Sequence, residues 1–136
     1  MNGEMIGSVD PAKHNLGHEL IYYMERGIWL DLRGYVDIHP QTEFGFGVKI
    51  ITATHNSDWM FKEGKGRSIQ YRTVKVGKQV WVCSFAVLFN CVVEQGAIVG
   101  CGAVVCNMTV PEYSMVMGNP ARVVKRYVGG EWVRGE

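Results

Sequence analysis

Large apolar side chains recur along this chain at intervals of six. Val76, Val82 and Leu88 are followed, after one step of five, by Val93, Val99 and Val105, and upstream Leu32, Ile38, Phe44 and Ile50 keep the same interval. Two places before most of them stands a small or β-branched residue, as at Val36, Thr42, Val48, Val80, Ala86, Ala97 and Ala103, and glycine often follows, as at Gly77 and Gly100. Neither the 3.6-residue repeat of a helix nor the two-residue repeat of a half-buried strand fits this interval. A period of six sustained over so many units predicts a solenoid of short strand-plus-turn units, three to a coil, with one large apolar side chain per unit directed inward.

Stacked coils let each backbone group pair with the coil above or below and gather the inward residues into apolar columns, such as Leu32 beneath Ile50. An antiparallel sandwich would instead need two-residue alternation with turns every 8 to 12 residues. Because a short solenoid leaves its end coils unpaired, a helix, a tail or a partner subunit must cover them.

The units divide the chain as a single domain, with an N-terminal cap over 1–27, first coils over 28–55, an excursion over 56–73, further coils over 74–110 and a tail over 111–136. Asp10 followed by Pro11 reads as a helix start, and Leu16, Leu20 and Tyr23 or Met24 recur at helical spacing until Gly27. His14 and His18, four apart on that expected helix, have no third ligand nearby and read as a solvated face. The excursion has no six-residue pattern but carries Trp59, Met60 and Phe61 beside Lys62, Lys65, Arg67 and Arg72. Its aromatic cluster is expected to pack against a partner subunit or a substrate. The tail, broken by Pro111 and Pro120 and basic at Lys125, Arg126 and Arg134, is expected to run back over the coils or onto a neighbour.

Composition narrows the function. At 136 residues with a net charge of +1 and its cations scattered, the chain offers no stripe for a nucleic-acid backbone, so nucleic acid is not an expected partner. The longest apolar tract, Val80 to Val93, is about half a membrane span and contains Ser84 and Asn90, so no span is expected. No signal peptide is visible in the first ten residues. Cys83, Cys91, Cys101 and Cys106 form no CxxC pair and stand where a coil wants small residues, which predicts packed, reduced thiols and a cytoplasmic setting.

Four segments carry a family likeness: Val76-Gly77-Lys78-Gln79-Val80-Trp81-Val82, Val99-Gly100-Cys101-Gly102-Ala103-Val104-Val105, Val110-Pro111-Glu112-Tyr113-Ser114 and Gly118-Asn119-Pro120-Ala121-Arg122-Val123. They resemble the hexapeptide-repeat acyltransferases. Thr52-Ala53-Thr54-His55, standing before a long loop and then the Val80-Trp81 unit, is most similar to the maltose, galactoside and polysaccharide O-acetyltransferase branch. The resemblance implies an all-β fold, a left-handed parallel β-helix with a short N-terminal helix and a C-terminal tail. It also implies a homotrimer that binds acetyl-CoA between subunits, uses no metal and acetylates a sugar or polysaccharide hydroxyl.

By the same resemblance His55 is the general base. A sugar hydroxyl is a poor nucleophile until its proton is removed as it attacks the thioester carbonyl, and imidazole is the side chain suited to do so near neutral pH. Ser84 matches the position that stabilises the developing oxyanion in some relatives. Ser84 and Cys101 are 17 apart in sequence, one coil when the five-residue step is included, so they are expected to stack along a cofactor groove. Trp81, Gly102, Asn119, Arg122 and Lys125 match positions flanking the pantetheine arm or the nucleotide end, and the two cations suit phosphates. Asp31 falls near the position that holds the acceptor sugar. Cys106-Asn107 departs from the Thr-Lys that relatives often carry, removing one expected phosphate contact. The short N-terminal segment points to a polymeric or lipid-linked acceptor.

Three other readings remain open. A trimeric scaffold would need no His55, Trp81 and Asn119-Pro120-Ala121 together. An acyltransferase acting on an amino sugar or serine would share the cofactor site. A carbonic anhydrase on the same fold would need three converging histidines, and only His39 and His55 lie in the coils.

Overall fold

In the computed structural model, which describes residues 2–62, 64 and 66–135, the chain is almost wholly β. Lys65 of the excursion lies outside the described residues. The N-terminal cap holds β1 (Glu4–Ile6), β2 (His14–Asn15) and one short helix, α1 (Leu20–Glu25). The first coil is β3 (Trp29–Asp31), β4 (Tyr35–Ile38) and β5 (Thr42–Phe44). The second begins with β6 (Lys49–Ile51), departs through the antiparallel pair β7 (Ala53–His55) and β8 (Ile69–Tyr71), and resumes with β9 (Thr73–Val76) and β10 (Val80–Val82). Then come β11 (Val87–Val93), β12 (Ile98–Val99), β13 (Val104–Val110) and β14 (Ser114–Met117), and the tail forms β15 (Arg122–Val128) and β16 (Glu131–Arg134).

Each turn of the chain visits three parallel ladders. The first joins β1, β3, β6 and the leading halves of β11 and β13, the second joins β2, β4, β9 and the trailing halves of the same two strands, and the third joins β5, β10, β12 and β14. The predicted inward residues Ile38, Phe44, Ile50, Val76, Val82, Leu88, Val93, Val99 and Val105 are all buried, as are the small residues Ala86, Ala97 and Ala103, in one continuous core. The later coils repeat every 17 residues: Val82 pairs with Val99, which pairs with Val116, and Leu88 pairs with Val105.

The first column is phased differently from the sequence expectation. Leu30, not Leu32, lies beside Ile50. Two extra residues are taken up at the Arg33–Gly34 corner, where the Gly34 N–H donates to Thr52 Oγ1 over 2.8 Å. A Cβ on Gly34 would overlap the carbonyl oxygens of Thr52 and Arg72, so only glycine lets the chain turn this closely.

The expected helix over the cap is also much shorter. Asp10 opens a single turn, accepting backbone N–H bonds from Lys13 and His14, after which His14 pairs as a strand with Val36. Gly17 then adopts φ +70° and presses its bare Cα face against the Ile38 and His39 carbonyls, which ends any helix. His14 and His18 are not a solvated helix face. His14 is buried, donating Nε2–H to the Gly34 carbonyl and accepting the Asp10 N–H at Nδ1.

His18 and Tyr22 close the outer edge of β5. His18 Nε2 reaches the Thr42 carbonyl at 3.1 Å, and the Tyr22 hydroxyl accepts the Phe44 N–H at 2.9 Å. Burial lowers the His18 pKa against the raising pull of that carbonyl, so the neutral ring is the one that caps. At the far end β15 turns back antiparallel on β14, and β16 on β15. The parallel stack thus continues through β14, seven residues beyond the expected coil boundary, before it reverses.

Candidate functional site

Asp31 is fully buried at the corner between the first and second ladders. Its Oδ1 accepts from Arg33 Nε at 2.9 Å and Oδ2 from Arg33 Nη2 at 3.0 Å, while the Thr52 N–H donates to Oδ2 at 3.1 Å. Burial alone would raise this carboxyl, but the Arg33 and Thr52 hydrogen bonds outweigh it and hold the pKa below the usual carboxylate value. With both oxygens committed and none exposed, Asp31 is a structural anchor, and the expectation that it holds the acceptor sugar is corrected accordingly.

The anchor fixes the root of the excursion. Thr52 Oγ1 donates to the Asp31 carbonyl at 2.8 Å, and the Arg72 N–H, at the other end of the excursion, donates to the Thr52 carbonyl at 2.7 Å. Three residues beyond Thr52 comes His55, partly exposed at the end of β7. Its Nδ1 lies 2.9 Å from the Ser68 carbonyl. A carbonyl oxygen only accepts, so Nδ1 carries the proton and Nε2 keeps a free lone pair.

Asn56 holds Ser68 in place. Its Oδ1 accepts the Ser68 N–H at 2.9 Å and the Ser68 hydroxyl at 3.1 Å, and its Nδ2 donates to Asp58 and Gly66. Trp59 meets the His55 ring edge-on, centroids 6.4 Å apart, and the Arg67 guanidinium lies 5.2 Å from the Trp59 centroid. Asn56 and Ser68 were not singled out in the sequence, since their role depends on an antiparallel pairing within a stretch lacking any repeat.

A second set of expected residues gathers at the corner between the third and first ladders. There the Gly102 N–H donates to the Ser84 carbonyl at 3.0 Å, which stacks Ser84 and Cys101–Gly102 in neighbouring coils as the 17-residue offset predicts. Ser84 Oγ accepts the Phe46 N–H at 3.1 Å, leaving its own hydroxyl proton free to donate. Gly118 and Asn119 continue this corner, the Val104 N–H donating to the Gly118 carbonyl at 2.9 Å. Phe46 and Phe85, 54% and 61% exposed, rim it, a feature the six-residue count did not flag because both fall at turns.

Trp81, 51% exposed, stands on the outer surface of the third ladder. Arg122 lines a groove of about 520 Å³ together with Cys106, Asn107, Pro120 and Arg126. Lys125 is not among its walls; it pairs with Met115 in the row that holds Ile98 and Trp81. Arg126, not Lys125, is therefore the second cation of this groove. Asn107 Oδ1 accepts from Asn90 Nδ2 at 2.8 Å.

Within one chain, His55 and the Ser84–Cys101–Gly102 set occupy different corners, separated by the whole width of the first ladder. The four cysteines form no disulfide. Burial pushes the Cys83 thiol up to about 11 and Cys91 up to about 12, while Cys101 and Cys106 are exposed where packed thiols were expected. Among the described residues no three His, Cys, Asp or Glu side chains converge, and no helix is long and apolar enough to cross a membrane.

No family model matches the chain, and no curated protein does. Solved structures do. A maltose O-acetyltransferase from Clostridium difficile 630 superposes with a TM-score of 0.66 at 24% identity, over 74% of this chain and 52% of that one. A galactoside acetyltransferase in complex with coenzyme A gives 0.62 at 16% identity, over 79% and 57%. A hexapeptide-repeat acetyltransferase from Vibrio cholerae O1 biovar eltor, complexed with acetyl coenzyme A, gives 0.55 at 18% identity, over 73% and 56%. The chain spans little more than half the length of these proteins, and what it shares with them is the hexapeptide-repeat acetyltransferase fold.

Proposed function

We propose that this protein is an acetyl-CoA-dependent O-acetyltransferase that moves an acetyl group directly to a hydroxyl of a sugar or polysaccharide precursor. The observation that carries the reading is the hydrogen bond from His55 Nδ1 to the Ser68 carbonyl, which leaves Nε2 as a proton acceptor at the end of the antiparallel β7–β8 pair. Nε2 takes the proton of the acceptor hydroxyl as its oxygen attacks the thioester carbonyl. The free Ser84 hydroxyl proton stabilises the oxyanion, and collapse expels the coenzyme A thiolate, which is reprotonated from the imidazolium. The exposed Phe46 and Phe85 suit the apolar part of the pantetheine arm, Cys101, Gly102 and Asn119 flank it, and Arg122 with Arg126 suits the phosphates.

His55 and Ser84 stand at different corners of one chain, so the site is completed by a second copy. In the first ladder Leu30, Ile50, Leu88 and Val105 point inward, and their neighbours Trp29, Ile51, Val87, Phe89 and Val104 make a half-buried outer face that is apolar except for the exposed Lys49 between Trp29 and Val87. Packing this face around a threefold axis covers it and brings the His55 corner of one copy to the Ser84 corner of the next. The coil is left-handed and the protein is a cytoplasmic homotrimer in this reading.

The test is complementation. Acetyl transfer to a panel of sugars is measured for His55→Ala, for Ser84→Ala, and for the two unfolded together and co-refolded. Activity recovered in the mixture places the two residues on different copies of one site; a mixture no better than either variant would overturn the shared site. A second reading, transfer to an amino sugar, draws on the fold-level likeness to an N-acyltransferase from Bacillus cereus solved with coenzyme A and dTDP-4-amino-4,6-dideoxyglucose, at 14% identity. Amine acceptors in the same panel separate the two.

A further inference from the structure

The outer surface of the third ladder carries two parallel rails that the proposed chemistry does not use. One is aromatic. Trp81 is half-exposed, Tyr127 and Trp132 face each other across β15 and β16 with ring centroids 5.3 Å apart, and all three line a groove of about 360 Å³. The other rail is polar and neutral. Gln79 and Gln95 follow one another along the corner between the second and third ladders, and Gln95 Nε2 donates to Gln79 Oε1 at 3.3 Å and to the Tyr113 hydroxyl at 3.0 Å.

The rails are held rigidly. The Tyr127 N–H donates to the Tyr113 carbonyl at 2.8 Å. The Tyr113 ring lies flat on Gly96, where any Cβ would overlap it. Gln79 and Tyr113 both take positive φ, 59° and 50°, a conformation that holds their side chains at the rim of the strip.

The lining selects a ligand class. None of the described residues lining this groove is charged, Lys125 and Glu43 standing only at the two ends of the Trp81 row, so the lining itself offers a phosphate or a carboxylate no counter-charge. The Gln79 amide N–H groups, the Gln95 carbonyl oxygen and the Tyr113 hydroxyl proton have no partner among the described residues and together offer donors and an acceptor along one line. Aromatic faces beside unpaired amides match a molecule with apolar C–H faces and equatorial hydroxyls. The residues that line the groove lie on or beside four neighbouring strands, β10, β12, β14 and β15, about 14 Å at roughly 4.8 Å per strand. That length suits a chain of sugar units better than a single ring.

We propose that this aromatic and amide strip binds a neutral oligosaccharide along the axis of the coils, next to Trp81. Its use in acetyl transfer rests on the function proposed above; the binding itself does not.

The test titrates the full chain with maltopentaose, cellopentaose and chitopentaose, following tryptophan fluorescence and heat. At least one is expected to bind saturably, with affinity reduced tenfold or more in Trp132→Ala and in Gln95→Ala. Gln95 is exposed and outside the core, so the second variant keeps the test sound if the first fails to fold. Acetyl-CoA affinity and sedimentation are expected to match the wild type. The proposal is overturned if no oligosaccharide binds, if acetyl-CoA displaces the bound one, or if the Gln95→Ala chain loses its oligomeric state. Oligosaccharide binding without acetyl transfer to any sugar would support the strip while removing the enzymatic reading.

Discussion

The corner between the first and second ladders is built in two ways, and the contrast bears on the proposed site. In the later coils it turns through one residue, Asn90 and then Asn107, with φ of 46° and 54° and a single amide hydrogen bond between them. Asparagine tolerates the left-handed region, so the turn needs no other support. In the earlier coils the same corner is a buried assembly of Asp31, Arg33, Gly34 and Thr52, from which residues 53–71 depart and return. A repeat closes cheaply where it only has to turn. Where it must release a hairpin and recover its register, it needs a buried charge and a glycine, and His55 stands on that hairpin.

The largest expected effect comes from the column beneath both corners. Leu88→Asp places a carboxyl without a partner beside Ile50 and Val105 and removes the leucine packing there, a loss of several kcal/mol, a large part of the roughly 5–15 kcal/mol that holds a typical domain together. The variant is expected to be insoluble or to lack a cooperative melt, and a normal melting curve would overturn the phase of the columns. Next is the hairpin. His55→Ala removes the proposed base without touching the core, so kcat is expected to fall about 100-fold to 10,000-fold while acetyl-CoA affinity measured by calorimetry stays near wild type. Loss of cofactor binding together with assembly would make His55 structural.

Asp31→Asn sharpens the comparison at smaller scale. It cannot accept all the Arg33 and Thr52 donors, and stability measured by urea unfolding is expected to drop by about 1–3 kcal/mol. The pH dependence follows from the depressed carboxyl. Its stabilisation is complete above the unfolded carboxyl value near 4 and disappears as pH falls through the lower folded value, so the wild type should lose stability in that acid window more steeply than Asp31→Asn. The smallest effect is at the simple corner. Asn90→Ala forces alanine into the left-handed region and loses one exposed amide bond, about 1 kcal/mol, with hairpin and turnover unaffected. An Asn90 effect as large as that of Asp31 would erase the distinction between the two corners.

Much of this was legible in the spacing. Ile38, Phe44, Ile50 and the large apolar residues from Val76 to Val105 are buried where the count places them, because strand alternation turns each of them inward together with the smaller residue two places before it. The count slipped by two at Leu32, since Arg33 and Gly34 are absorbed by a corner and leave no mark in a pattern of apolar residues. Helical spacing in the cap was misread because Leu16 and Tyr23 meet through a hydrogen bond from the Tyr23 hydroxyl to the Leu16 carbonyl, not along one helix face. His55 and Ser84 were marked by their neighbours in sequence, but Ser68 and Asn56 act through a backbone pairing that residue types do not announce. The acceptor role of Asp31 rests on its place in the family likeness, which carries no sign of the Arg33 and Thr52 hydrogen bonds that bury it.

A coil that can accept another coil is also a growing end, and successive 17-residue turns that pair in parallel carry the ingredients of a fibre. The side chains that finish the third ladder act as terminators in that sense. His18 and Tyr22 occupy the hydrogen-bonding positions of Thr42 and Phe44 that an incoming strand would need. At the other end the chain reverses direction and finishes on β16, whose Glu131 and Arg134 set charges along the last edge. Variants that empty the first position, such as Tyr22→Phe, leave an unanswered Phe44 N–H and turn a finite object into a template for end-to-end association.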